Sequence, residues 1–501
     1  MKKKISILIF TLMAMMLMGC GAQTDENAKV ITGIDDLYGA KIGVQLGTVG
    51  DIYAQDIEAE DPSTDLQQYN KIADAMQALK QGKIDCVIVD EQPAIASTEK
   101  EPSLVILDEP FALEEYAMCI AKENDELLEK VNAALDELIA DGTVEQITKN
   151  YIGDDTKGTC PYVSPADVSY TNGTLVVVTN AAFPPYEYYE GGEFVGIDME
   201  LIKAIGDKLG MEVEIEDIEF DSIITAVESH KADLGIAGMT MTEERAKSIN
   251  FSNSYVTTKQ VMVVKDASKT GAGMGFVENI KRNFVDDNRW EYLLKGLVNT
   301  IIIALCAVLA GMLIGFCVAI VRVTYDKTGG WAIGNAICKL YLTIIRGTPI
   351  MIQLLIIYYV VFKAVNVPKL LVAIIAFAIN SGAYVAEIMR GGIMSIDDGQ
   401  MEAGRSLGLT YKQTMISIIL PQAIKNVLPA LGNEFISLIK ETSICGYIGL
   451  MDLTRGGDII RSITYEAFLP LIAVAIIYLI IVELLTFGVG KLEMNLRKSE
   501  R

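Results

Sequence analysis

The chain has 501 residues, of which 51% are apolar and 21% are charged, and this apolar content argues against a disordered chain. The formal net charge of −23 is unevenly distributed, because residues 21–270 hold 48 acidic and 18 basic side chains whereas residues 271–501 are close to neutral. So little basic surface excludes nucleic acid as the expected partner. The single histidine argues against a histidine-based catalytic triad or metal site, and we expect neither a metal ion nor a cofactor.

The first twenty residues are typical of a targeting segment. Three lysines at 2–4 precede an apolar run, Ile5–Met18, that is too short to predict a membrane span. The run leads into Leu-Met-Gly-Cys, which resembles the lipobox of bacterial lipoproteins and implies cleavage before Cys20 and acylation of its thiol. We expect a signal peptide over 1–20, a polar tether over 21–33 and export of the acidic half. An uncleaved signal anchor with a chance cysteine is the alternative.

The acidic half alternates short β-branched runs with amphipathic helices, which predicts an α/β fold. The predicted strands are Lys41–Val44, Cys86–Val89, Leu104–Leu107, Tyr116–Ala121, Leu175–Thr179, Glu212–Ile215, Asp233–Ala237 and Val261–Val264. The predicted helices are Asp74–Gln81, Asp125–Asp141 and Ile197–Leu209. A stretch rich in glycine, proline, aspartate, threonine and serine over 154–173 indicates a linker between two series of elements.

Both series resemble one family, the extracytoplasmic binding proteins for polar amino acids, whose two α/β lobes close around the ligand. The sequence LVVVTNAAFPPYEYYEGGEFVGIDMELI, from Leu175, resembles the opening of such a protein, and residues 34–153 resemble its remainder. This order is the reverse of the family's order. We therefore expect one type II binding domain in circularly permuted order, with 34–153 supplying lobe two plus the closing helices of lobe one, and 174–266 supplying lobe one. Two incomplete lobes that each pair with another protein are the alternative.

The resemblance also implies where the α-carboxylate of a bound amino acid would lie. Arg245 matches the family arginine that forks this carboxylate, for which a planar guanidinium is suited because it donates two parallel hydrogen bonds. Thr240 and Gly238 match lobe-one positions that contact the carboxylate or the ammonium group. Gly47 and Thr48 match the lobe-two loop that completes the carboxylate cradle.

Further matched positions concern the ammonium group and the side chain of the ligand. Asp90 directly follows a predicted strand and matches the acid that pairs with the ammonium group. Phe183 and Phe220 match aromatic positions that flank the ligand side chain and help to exclude water. Glu187 could face a basic ligand side chain, but an exposed glutamate is the favoured interpretation. Because every amino acid presents the same carboxylate and ammonium groups, the sequence does not name the ligand.

The nearly neutral half carries five long apolar segments, which predict membrane-spanning helices. They are Leu297–Val321, Ile350–Ala364, Leu370–Ile388, Met415–Ile439 and Phe468–Val489. We expect a linker and surface helix over 267–292, an all-α transmembrane domain of five helices over 293–491, and a tail over 492–501. Because the acidic half is outside and basic residues flank the inner ends of the spans, this tail is expected in the cytosol.

A motif after the third predicted span indicates a partner. Glu402, Ala403, Gly404 and Gly408, followed by Leu420-Pro421, resemble the "EAA" loop of ABC importer permeases. The resemblance implies a coupling helix that docks on a cytosolic ATPase, with small residues that permit close packing and a glycine that ends the helix. The chain contains no P-loop, so we expect ATP hydrolysis in a partner chain and no enzymatic role here. A single permease domain implies a homodimer with two ATPase subunits.

These features together predict a fused binding protein and permease of an ABC importer for polar amino acids, located in the cell membrane. An amino-acid-gated ion channel and an amino-acid sensor that signals without transport are alternatives, although a channel has no need of an ATPase-docking loop. Disulfide pairing among Cys86, Cys119 and Cys160 stays open, because sequence gives no geometry.

Overall fold

The computed structural model describes residues 29–153, 156–266, 275–363, 365 and 367–498, so the predicted signal peptide and Cys20 lie outside the described residues. The strands in chain order are β1 (Lys41–Gln45), β2 (Asp65–Tyr69), β3 (Cys86–Asp90), β4 (Leu104–Ile106), β5 (Ala112–Tyr116), β6 (Cys119–Ala121), β7 (Thr174–Thr179), β8 (Ala182–Phe183), β9 (Glu187–Glu190), β10 (Glu193–Val195), β11 (Glu212–Asp217), β12 (Leu234–Gly235), β13 (Ile249–Phe251) and β14 (Val256–Lys265).

The α-helices divide between the two halves of the chain. Those before residue 266 are α1 (Val49–Glu60), α2 (Ile72–Lys80), α3 (Glu91–Lys100), α4 (Asp125–Ala140), α5 (Thr143–Tyr151), α6 (Ile197–Leu209), α7 (Ile223–Glu228) and α8 (Arg245–Ser248). Those after residue 275 are α9 (Phe276–Ile280), α10 (Trp290–Thr328), α11 (Ala332–Gly347), α12 (Ile350–Ile356), α13 (Lys369–Met394), α14 (Asp398–Ser406), α15 (Tyr411–Thr414), α16 (Leu420–Glu441), α17 (Leu453–Thr464) and α18 (Phe468–Lys498).

Two larger sheets form the two lobes of the first half. Lobe two contains the sheet β2-β1-β3-β14-β4, with β5 paired to β14, and lobe one contains the sheet β11-β7-β12-β6-β13. A small sheet, β10-β9-β8, lies beside lobe one. The strands β1, β2 and β3 are parallel, as are β7, β11 and β12, and helices connect them, so both lobes have the predicted α/β architecture.

The chain crosses between the lobes twice. It leaves lobe two after β5 and returns to it through β14, and these two strands pair antiparallel from Tyr116↔Val256 to Ala112↔Gln260. The predicted strand Tyr116–Ala121 is therefore wrong, because Tyr116 ends β5 in one lobe and Cys119 begins β6 in the other. Each lobe thus contains a strand from the other series, which makes the two series one intertwined two-lobed unit.

The segment between the two series packs along α6, the helix predicted at Ile197–Leu209. The hydroxyl groups of Tyr162 and Tyr170 donate to the two carboxylate oxygens of Asp207, at 2.9 and 2.7 Å. The side-chain amide of Asn172 donates to the carbonyl of Leu209 at 2.7 Å. The linker is consequently held against lobe one by side chains from its middle and from its C-terminal end.

The second half has four helices long and apolar enough to cross a membrane within the described residues, or five if one bent pair counts as a single span. This pair joins α11 to the segment 350–361 at an angle of 108°. The predicted span Ile350–Ala364 is the second arm of this pair. The bend falls at Thr348-Pro349, because proline lacks a backbone N–H and disfavours helical geometry at the residue before it.

Small residues bring α10 and α13 close together. A Cβ atom on Gly311 would come within 3.0 Å of Ser381, and one on Gly315 within 2.6 Å of Val385. Packing of this kind holds helices together where lipid removes the hydrophobic drive for association. With 39 residues, α10 is about 58 Å long, so it extends beyond a hydrocarbon core of about 30 Å.

Candidate ligand-binding site

A cavity that is partly open to solvent, with about 350 Å³ of empty space, lies between the two lobes. Its lining comes from both lobes and consists of Gln45, Thr48, Val49, Asp90, Asn180, Phe183, Phe220, Ala237, Gly238, Thr240, Arg245 and Gln260. Seven of the eight predicted site residues are in this set. Several lining residues stand at the carboxyl ends of parallel strands, the usual position of ligands in open α/β sheets.

Arg245 begins the short helix α8 and joins the two lobes. Its guanidinium donates to the carbonyl of Thr240 in lobe one and to the carbonyl of Gly47 in lobe two, both at 2.6 Å. The guanidinium also lies 5.7 Å from the ring centre of Phe220. Burial lowers the pKa of Arg245, but a guanidinium stays charged at every physiological pH. A half-buried positive charge therefore faces the cavity.

Asp90 is the last residue of the buried strand β3. The hydroxyl of Tyr116 donates to its carboxylate at 2.5 Å, and Gln260, its register partner on β14, provides a second side-chain hydrogen bond. Burial outweighs these bonds and raises the pKa of Asp90 to about 7. A positively charged group in the cavity would favour the ionised form, because it would replace part of the lost hydration.

Two further buried carboxyl groups lie behind the cavity. Asp198 accepts hydrogen bonds from the N–H of Gly238 at 3.0 Å and from the hydroxyl of Tyr255 at 2.9 Å, and burial raises its pKa to about 6. Burial and the adjacent Asp198 raise the pKa of Glu187 well above its usual value. Glu187 is only 1% exposed, so the favoured interpretation of an exposed glutamate was wrong.

The loop that precedes α1 differs in detail from the predicted carboxylate cradle. Gly47 has a φ of 77°, and its N–H donates to the carboxylate of Asp51 at 2.8 Å, so its carbonyl rather than its N–H faces Arg245. Thr48 lines the cavity and caps α1, with its hydroxyl accepting from the N–H of Asp51 at 3.4 Å. Asp51 thereby stiffens the loop that lobe two presents to the cavity.

Gly238 and the two predicted phenylalanines form the apolar wall of the cavity. Gly238 has a φ of 52°, a left-handed conformation that disfavours residues with a Cβ atom. A Cβ atom there would also come within 3.0 Å of the ring of Phe183. The close approach of the backbone to this ring therefore depends on glycine.

Three carboxamide side chains of the lining were not predicted. The amide of Gln45, on lobe two, donates to the amide oxygen of Asn180, on lobe one, at 3.2 Å. Gln45 ends β1 and Asn180 follows β7, so their positions at the carboxyl ends of parallel strands could have indicated them. Gln260 lies inside β14, and its approach to Asp90 arises only from sheet pairing.

The predicted ATPase-docking motif forms α14 and the turn that follows it. Glu402 and Ala403 are exposed, whereas Gly404 is buried against Thr414 of the same chain. The helix ends at Ser406, and Gly408 has a φ of 85°. Gly404 therefore permits close packing within the permease, and the exposed face of the helix contains Glu402 and Ala403.

Comparisons with known proteins match both halves of the chain. The family model for bacterial extracellular solute-binding proteins, family 3, matches residues 175–443. The glutamine transport system permease protein of Escherichia coli K12 is 38% identical over 208 residues, which cover 41% of this chain and 93% of that protein. The probable glutamine ABC transporter permease protein of Bacillus subtilis 168 is 37% identical over 214 residues, or 42% of this chain and 96% of that protein. The chain belongs to the family-3 solute-binding proteins and to the amino-acid ABC transporter permeases.

A solved structure described as an amino acid ABC transporter with histidines is 39% identical and has a TM-score of 0.40, covering 44% of this chain and 99% of that one. The family assignment confirms the predicted class of protein, an amino-acid ABC importer chain that combines a solute-binding domain with a multi-pass permease. Such importers are driven by ATPase subunits, so the expectation of an ATPase partner is confirmed at the level of the family.

Proposed function

We propose that this importer chain captures a polar amino acid in the cavity between the lobes. Arg245 would bind the α-carboxylate together with Thr240, Gly238 and the loop at Gly47-Thr48, and Asp90 would bind the ammonium group. Phe183 and Phe220 would flank the ligand side chain. Glutamine is the first candidate, because the similar permeases are named for glutamine transport and three carboxamides line the cavity.

The observation that carries this proposal is the placement of opposite charges around one cavity. The guanidinium of Arg245 and the carboxylate of Asp90 both line it; Asp90 is buried and Arg245 is half-buried. Each buried charge needs a partner, and a zwitterion supplies one of each sign in a single molecule. Because Arg245 also bonds to the carbonyl of Gly47, carboxylate binding and closure of the lobes would involve the same side chain.

We also propose that the binding domain is circularly permuted. The match to the family model begins at residue 175, where the sequence resembles the opening of a family member. The exchange of β6 and β14 between the lobes supports one domain built from both series. Ile31 and Val264 belong to one hydrophobic cluster, so the two ends created by a permutation would lie close together.

The remaining features of the proposal concern the assembly. The signal segment would be removed and Cys20 acylated, which would anchor the exported domain to membrane lipid. The C-terminus would be cytosolic, and two copies of the chain would pair to complete the permease. Cytosolic ATPase subunits would dock at residues 402–408, where α14 exposes Glu402 and Ala403.

Calorimetry tests the proposed ligand. The full chain in lipid nanodiscs is titrated with a panel of amino acids, and we expect L-glutamine or a related polar amino acid to bind. The Arg245→Ala variant should lose affinity for every amino acid to the same extent, because the substitution removes the partner of the carboxylate that all of them share. Lys247→Ala, an exposed basic residue in the same helix, is the matched control and should bind normally. Normal binding by Arg245→Ala would refute the site assignment.

A second experiment tests the permutation. A binding domain in which residues 174–266 precede residues 34–153 should bind the same amino acid with similar affinity, because every contact in the two sheets is retained. If the two pieces fold separately, or if the reordered domain fails to bind while the native order binds, the permutation is wrong.

A further inference from the structure

One helix of the permease, α17, contacts both lobes of the binding domain. Near its N-terminal end, the guanidinium of Arg455 pairs with Asp217 and, at 2.6 Å, with Glu219, both in lobe one. Near its C-terminal end, Arg461 pairs with Asp74 of lobe two and, at 2.6 Å, with Asp458 of its own helix. We call these pairs the lobe-one contact and the lobe-two contact.

Lobe one has several additional contacts with the permease. Lys369, at the start of α13, pairs with Glu216 at 2.9 Å. The ammonium group of Lys231 donates to the carbonyl of Val365 at 3.1 Å. The carbonyl of Asp217 also approaches Gly449 so closely that a side chain there would collide with it. Contacts with several separate permease segments fix the position of lobe one.

Lobe two meets the permease at the far end of the same helix. Besides the contact of Asp74, the ammonium group of Lys100 donates to the carbonyl of Ile463 at 2.9 Å. Lys100 also lies 5.0 Å from the ring centre of Tyr465, directly after α17. Lobe two is joined to lobe one by the strands β5 and β14, so a rotation about this hinge would carry Asp74 and Lys100 away from α17 while lobe one stayed in place.

The charges at this junction come from three parts of the molecule. Lys71, the residue before α2 in lobe two, is 6% exposed, and it is close enough to Asp217, Glu219 and Asp458 for their charges to act on it. A second cavity, of about 240 Å³, adjoins the cluster and is lined by Leu46, Asn70, Glu219, Asp221 and Tyr447. Lys71 of lobe two is therefore buried at the junction, among acidic groups of lobe one and of the permease and beside the like charge of Arg455.

We propose that α17 detects closure of the binding domain of its own chain, with the lobe-one contact as a permanent anchor and the lobe-two contact formed only when the lobes close around the amino acid. This inference rests on the proposed function, because it requires an amino acid to drive closure. Arg461 acts as a positioning residue that contacts no ligand. The lobe-two contact stabilises the closed state and so raises the apparent affinity for the ligand.

Hydrogen exchange on the unmodified full chain in nanodiscs provides the first test. Backbone amides in α2 and in the last turns of α17 should be protected more strongly with saturating L-glutamine than without it. Amides at the start of α13, around Lys369, should be protected equally in both conditions. Equal protection of α2 with and without the amino acid would overturn the proposed division of roles.

A double-mutant cycle provides the second test, using calorimetry with L-glutamine. Arg461→Ala and Asp74→Ala should each weaken binding about fivefold, the usual effect of a partly exposed ion pair, and the double variant should be no weaker than either. Arg461→Lys should recover part of the loss. Lys295→Ala, which removes an ion pair within α10, is the control. Additive losses, or no loss, would overturn the lobe-two contact. If the wild-type chain binds no amino acid, the proposed function fails and this inference fails with it.

Discussion

The raised pKa of Asp90 predicts that ligand binding depends on pH. The carboxylate is buried, and burial raises its pKa to about 7 although Tyr116 and Gln260 stabilise the ionised form. The neighbouring charge of Glu114 acts in the same direction as burial. Because an ammonium group pairs with the ionised carboxylate only, protons compete with the ligand below pH 7. Affinity should therefore fall about tenfold between pH 8 and pH 6, with the release of nearly one proton per ligand at pH 6.

The stability of the ligand-free domain should depend on pH in the opposite direction to the ligand affinity. An acid whose pKa rises on folding, here from 3.8 to about 7, stabilises the fold below pH 3.8, and this contribution is lost as the pH rises through 7. The full shift corresponds to at most about 4 kcal/mol. A bound ammonium group offsets this loss at high pH, so the increase in melting temperature on addition of the ligand should be larger at pH 8 than at pH 6.

The assay is calorimetry of the full chain between pH 5.5 and pH 8 in two buffers with different ionisation enthalpies, which counts the protons released. Asp90→Asn should bind weakly but lose the pH dependence between 8 and 6. The pKa of Asp198 is raised to about 6, and its carboxylate accepts a hydrogen bond from the N–H of Gly238, which lines the cavity. Ligand affinity should therefore still decrease below pH 6 in the Asp90→Asn variant. Constant wild-type affinity from pH 8 to pH 6, without proton release, would refute the role assigned to Asp90.

Three further predictions follow from close packing and from the linker between the two halves of the chain. Gly238→Ala should weaken binding severalfold in calorimetry, because its Cβ atom would displace the ring of Phe183, whereas thermal stability should fall by only about 1 kcal/mol. Gly404→Val should lower ATP-driven uptake into proteoliposomes without changing ligand affinity, because the side chain would collide with Thr414 and displace the docking loop. Insertion of twenty Gly/Ser residues within 266–275 should lower the effective concentration of the binding domain at the permease about fivefold, because effective concentration falls with roughly the −3/2 power of linker length. Cross-linking should nevertheless find the domain docked and uptake should stay measurable, because several ion pairs anchor lobe one.

Most of the fold was accessible from local sequence patterns. The helix predicted at Ile197–Leu209 has those bounds in the structure, and Gly210, in a left-handed conformation, ends it. The strand Cys86–Asp90 is buried throughout and is recognisable as a continuous β-branched run. Where the spacing of apolar residues and a helix-ending residue indicate the same boundaries, local preference and tertiary packing favour the same structure.

The errors have a common physical cause, which is that tertiary structure divides runs that look continuous. Tyr116–Ala121 reads as one strand, but the chain passes from lobe two to lobe one within it. Gln260 escaped prediction as a site residue because only strand pairing brings it opposite Asp90. The spacing of residues along one strand does not reveal its partners in the sheet.

The hinge connects the site to the permease in a way that limits the energy available for coupling. Tyr116 ends β5 and bonds to Asp90, while Gln260 lies in β14, so both hinge strands supply partners of the same carboxylate. Ligand binding therefore acts on the two strands about which the lobes rotate. Each end of α17 contacts one of the two lobes that this rotation moves relative to each other. A ligand can shift this equilibrium only by its difference in affinity for the open and closed states. Because linkage is reciprocal, any affinity gained from the contact of Arg461 with lobe two equals the free energy by which the ligand strengthens that contact.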